Sequence, residues 1–287
     1  MSISLYLLRY HYKRTIEGTM CNQGLAILPI ALGLLTFATV LTTYIIALVK
    51  GDVEAIFPYI SDTGTISPES CIFGQFLNIS AFLVLLTIYV RYKQVTEYNK
   101  DEDARLRVLS RVGLGIGFFI AAGLSMVANF QELVIEPVHL TGAMLVFGGG
   151  VLYGLLDSSV SYRMHPSRNG IYICRVRLTL SLLALIFLIT TFVAGVISRE
   201  AWSGLKEHDH RKLHWKPNDP GYAAHITSTT GEWCLAISFL LYFFTYIRDF
   251  QKFHIEIKGH CLAQHLDEEV FIEQTIHGPT ETSRLLA

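Results

Sequence analysis

In the stretch "HITSTTGEW", Glu232 lies in an otherwise apolar run, and a carboxylate in such a place carries either function or a buried hydrogen bond. His225 opens that stretch, which is polar at nearly every position, so this part of the helix must face inward. Asn78, Asn129 and His139 occupy corresponding depths in three other apolar runs, and Asp62 sits in "PYISDTGTISPES" between two of them. Residues of these types could bind a lipid headgroup or relay a proton. They could equally form an interhelical hydrogen-bond network that fixes packing. Two further features compete for attention. "EHDHRKLH" spaces His208, His210 and His214 as metal ligands can be spaced, but without the cysteine or carboxylate pattern of a metal site. Asp157 lies near the end of its run, where pairing with Arg175 or Arg177 is expected.

The elements that must position these residues are membrane helices. Of 287 residues, 51% are hydrophobic and 16% charged, and the apolar ones are bunched. Six runs can each cross a hydrocarbon core of about 30 Å: 24–49, 71–90, 112–130, 137–160, 178–197 and 223–247. None alternates like a barrel strand, so the fold class is all-α, a polytopic bundle of six transmembrane helices. The expected organisation is an N-terminal extension (1–23), a six-helix domain (24–250) and a tail (251–287). Glycines spaced by four, Gly113 with Gly117 and Gly150 with Gly154, suit close helix approach, and Gly148–Gly150 suits a kink. In the opening loop Asp62-Thr63-Gly64 is a turn signal, and Ser67-Pro68-Glu69 has the form of an N-cap, a first-turn proline and a first-turn acid.

Orientation follows from the basic residues. Seventeen of the 23 Lys and Arg fall at the N-terminus, the second and fourth loops and the tail, which places both termini in the cytosol and the "SDTG" loop in the lumen. Of the five cysteines, only Cys71 meets the oxidising side, so no intramolecular disulfide is expected. A net charge of −1 says little about partners, and no nucleic-acid partner is expected. No nucleophile elbow, phosphate loop or metalloprotease motif occurs, so no catalytic, cofactor-binding or metal-binding residue is expected. The tail ends "ETSRLLA": Glu281, separated by three residues from Leu285 and Leu286, has the form of an acidic dileucine signal of the kind read by clathrin adaptors.

"PYISDTGT", "LNIS", "IYVRYKQV", "GLSMVANFQ", "LHWKPNDPGY" and "YFFTYIRDFQK" occur in one order between about Asn22 and Lys252. In these blocks the chain resembles the DNA damage-regulated autophagy modulator family. That resemblance implies a six-span protein of lysosomal and late endosomal membranes that promotes autophagy without known catalysis. Its partners would be membrane lipids and parts of the autophagy machinery. The wider superfamily includes proteins linked to lipid remodelling, which keeps open a lipid-modifying or lipid-binding protein with a pocket formed by Asp62, His139, His225 and Glu232.

Overall fold

The computed structural model describes residues 24–100, 103–203 and 213–255. The N-terminal extension, Cys21, Cys261, His208, His210 and the tail signal therefore lie outside the described residues. One compact unit ends at Phe253, and the chain from His254 onward belongs to a second.

Six long helices form: α1 (Ile27–Lys50), α2 (Glu69–Tyr98), α3 (Ala104–Asn129), α4 (Glu136–Arg163), α5 (Ile171–Ser203) and α6 (Tyr222–Phe244), with a one-turn α7 (Ile247–Phe250) continuing α6. All six are long and apolar enough to span a membrane, and no strand occurs among the described residues. Several outrun their apolar stretches. α2 passes Arg91 and Gln94 to reach Tyr98, and α5 begins at Ile171, which puts Cys174 inside a helix rather than in the fourth loop. Arg91, Gln94 and Arg177 in these extensions find partners inside the bundle.

Each helix packs against its neighbours in the chain, and α1 meets α6 along a thinner seam, so the six form a ring in sequence order. Gly24 approaches the backbone of Phe250, placing both ends of the unit at one end of the bundle, the terminal end. Small residues set the helix spacing. A Cβ on Gly123 would lie 2.7 Å from the Gly142 carbonyl oxygen, and one on Gly142 would lie 2.9 Å from that of Gly123, so α3 and α4 touch backbone to backbone. Gly117 admits Ile88, Gly150 admits the Phe239 ring and Gly154 admits Ser181, whereas Gly113 leaves slightly more room beside Leu156. α4 is helical throughout Gly148–Gly150.

α1 ends in a Schellman turn. Gly51 adopts φ 77°, its N–H donates to Leu48 O and the N–H of Asp52 donates to Ala47 O. The chain then crosses Phe57, whose φ of 38° is unusual for a residue with a Cβ, and turns back into the bundle. Glu69 is not the surface acid its first-turn position suggests. It is fully buried and pairs with Lys50 Nζ at 3.1 Å, while the Ser67 carbonyl accepts from the same ammonium and no side chain caps α2. Lys50 also pairs with Asp52 at 2.7 Å, and that ammonium holds the Asp52 carboxyl below the usual range.

Candidate functional site

The segment "PYISDTGT" is a strap threaded into the bundle. The Trp233 indole donates to Pro58 O (2.9 Å) and the Tyr59 hydroxyl to Ser228 Oγ (2.7 Å). The Ile60 N–H donates to Glu232 Oε2 (2.8 Å) and Ser61 Oγ to Glu132 Oε2 (2.8 Å). Thr63 Oγ1 bonds Thr43 at 3.1 Å and closes the local turn by donating to Ile60 O. Glu232 follows the start of α6 by ten residues, so the strap descends about 15 Å below that helix end by the helical rise. Non-helical backbone at such depth must satisfy its N–H and C=O groups within the protein, and Glu232 and Trp233 do this for Ile60 and Pro58. Burial raises the Tyr59 hydroxyl above its ordinary range, so it remains a donor.

Glu232 therefore has a backbone N–H as its hydrogen-bond partner. The rest of the polar set divides among three places. Glu232 and His139 reach a central cavity of about 180 Å³ to which all six helices contribute. His139 Nδ1 lies 2.7 Å from Phe130 O, a contact that requires the proton on that nitrogen. Asp62 and His225 line a separate cavity of about 70 Å³ beneath Trp215 and Tyr222. There His225 stacks on Trp215 at 4.3 Å and meets the Tyr59 ring edge-on. Asn78 and Asn129 line neither cavity: their amides exchange bonds of 3.0 and 3.1 Å across the seam between α2 and α3, and Ser125 Oγ donates to Asn78 Oδ1 (2.7 Å). This pair is packing glue. Among the loop histidines only His214 is described, 3.5 Å from Glu54.

At the terminal end lies a buried ionic node that sequence reasoning missed. Arg91 Nε donates to Asp157 Oδ1 (2.9 Å), and Arg177 donates to Asp249 Oδ2 (2.6 Å), Ser161 Oγ (2.8 Å) and Thr245 Oγ1 (2.9 Å). Arg91 also reaches Ser161 and Gln94, and the hydroxyls of Tyr242 and Tyr246 donate to Asp157 Oδ2. Asp157 thus pairs directly with Arg91, and Arg177 with Asp249; Arg175 stays exposed. Two arginines and two aspartates make the node neutral and join α2, α4, α5 and α7. A signal for it existed: Tyr242, Thr245, Tyr246 and Asp249 recur at helical spacing on one face, as do Asp157 and Ser161.

Between the strap and this node the cavity walls are apolar, with Leu77, Ile120, Leu124, Phe147 and Phe243 facing inward. Such a shaft, polar at its ends and oily along its length, is shaped for an amphiphile. Residues 24–253 match the family described as Frag1/DRAM/Sfk1/Cwh43P N-terminal domain. DNA damage-regulated autophagy modulator protein 2 from Bos taurus is 43% identical over 83% of this chain and 88% of its own length; the Homo sapiens protein of that name is 39% identical over the same shares. The Homo sapiens modulator protein 1 is 38% identical over 82% of this chain and 94% of its own length. No solved structure gives a significant match. The strap, and Arg91, Tyr242, Tyr246 and Asp249 of the node, fall within blocks that carried the resemblance, and with a family match spanning the six helices the chain belongs to the DNA damage-regulated autophagy modulator family.

Proposed function

We propose that this protein promotes autophagy from the membrane of lysosomes and late endosomes, acting without catalysis through membrane lipids and components of the autophagy machinery. The observation that carries this reading is identity of 38–43%, across most of both chains, to proteins named autophagy modulators. Restoring the wild-type chain to cells lacking their own modulator should raise autophagic flux, measured as turnover of a lipidated autophagosome marker with lysosomal proteolysis blocked and unblocked. Flux that stays at the null level in cells making the protein in lysosomes would sink this reading.

Both termini lie in the cytosol in this proposal, supported by the bias of basic residues. The tail then presents Glu281, Leu285 and Leu286 to a clathrin adaptor. Changing both leucines to alanine should shift the steady-state protein from lysosomes to the cell surface. Relocation would also put the tail in the cytosol, where adaptors work. Unchanged residence of the double variant removes the signal from the account.

A second reading, favoured by the apolar shaft, is that the protein binds a lipid within the bundle. The two readings are compatible, since a modulator can respond to the lipid it holds.

A further inference from the structure

The lining of the shaft reaches the outer surface on one side. Of the residues lining it, only Phe37 on α1 and Ile237 on α6 are exposed at the outer surface, at 52% and 45%. They belong to the two helices that close the ring along its thinnest seam. In a bilayer that surface meets hydrocarbon, so the opening admits a molecule from the lipid phase and not from water.

The lining also states what such a molecule must carry. Among the described residues it contains no lysine or arginine, so a phosphate or carboxylate head would meet neither. Its one acid is Glu232, which is 7% exposed and lies at the strap end. Glu232 Oε2 accepts from the Ile60 N–H, while Oε1 has no hydrogen-bond partner among the described residues. His139 has its Nδ1 committed to the Phe130 carbonyl. With that proton on Nδ1 the His139 Nε2 is a neutral acceptor, so the anionic acceptor of the described lining is the Glu232 carboxylate, above an apolar column. From Glu232 to Phe243 that column runs about 16 Å along α6. A space of about 180 Å³, little larger than one that holds benzene, takes the head-proximal segment of one hydrocarbon chain and leaves the rest of a long chain to the lipid outside.

We propose that the shaft takes up a single-chain amphiphile with an ammonium head, entering between α1 and α6, its head against Glu232 Oε1 and its chain toward Phe243. This rests on the lipid-binding reading and adds the chemistry of the ligand. The strap is part of the site, because Ile60 occupies the other carboxylate oxygen and orients the free one.

Three photoreactive probes of one chain length test it: a hexadecyl amine, the matching alcohol and the matching fatty acid, each offered to the full chain in phosphatidylcholine nanodiscs. The amine should label shaft residues roughly tenfold more than the alcohol, the discrimination expected of a charge-assisted bond in a buried site, and the acid least. Glu232→Gln keeps an acceptor for Ile60 and should bring amine labelling down to the level of the alcohol. Ala236→Phe, one turn along α6, should block all three by filling the shaft while leaving the carboxylate in place. Equal labelling by amine, alcohol and acid would overturn the ammonium inference and leave lipid binding standing. Failure of every probe to label the shaft would overturn both.

Discussion

Arg177→Ala should be the most damaging single substitution in the bundle, leaving little folded protein. Arg177 is 0% exposed, and its guanidinium is held by Asp249, Ser161 and Thr245. Removing it strips Asp249 of its closest partner and leaves Arg91 at 3.6 Å as the remaining cation. Breaking a buried pair from one side costs about 3–5 kcal/mol because the survivor keeps its desolvation penalty. Against a typical stability of about 5–15 kcal/mol that loss is severe. Arg177→Lys should not rescue, since an ammonium cannot present a planar fork to three acceptors. The neighbouring Arg175 is exposed, and Arg175→Ala should change stability by less than about 0.5 kcal/mol. Thermal unfolding of detergent-purified variants, followed by loss of the monodisperse peak, checks this. Equal midpoints for the Arg177 and Arg175 alanine variants would mean that the node does not hold α5 to α7.

Glu232→Lys should unseat the strap. The substitution sets an ammonium against the Ile60 N–H, two donors where the fold requires an acceptor, and buries a cation in a lining that holds no other acid. The penalty is again several kcal/mol. Glu232→Gln supplies an amide oxygen at the same place and should fold with only a small loss. Monodisperse yield and thermal midpoint of the two variants provide the comparison. A Lys variant as stable as the Gln variant would show that the carboxylate is not the strap's seat.

These two expectations stand differently toward the sequence. Glu232 was visible as a charged residue in an apolar run, and its depth could be counted along a helix. Its partner was not, because Ile60 lies 172 residues away in a loop whose turn residues read as an ordinary surface connection. Arg177 read as one of the basic residues that orient the chain and as a partner for Asp157, whereas its closest carboxylate is Asp249, a residue 72 positions away whose approach only packing decides.

The sequence by itself determined the six helices and the membrane, since length and apolarity of a run depend only on adjacent residues. It also contained the family's blocks. The tertiary structure decided which polar residues meet. It separated Asn78 and Asn129 from Glu232, moved Asp62 and His225 to a second cavity, and gathered Arg91, Asp157, Arg177 and Asp249 from four segments into one neutral node. Helical periodicity tells which residues share a face of one helix. Which faces meet across the ring depends on packing of small against large side chains, as where Gly123 and Gly142 bring two backbones together. It depends also on the need to satisfy every polar group that the bilayer will not, which is why a loop came to rest on a buried carboxylate.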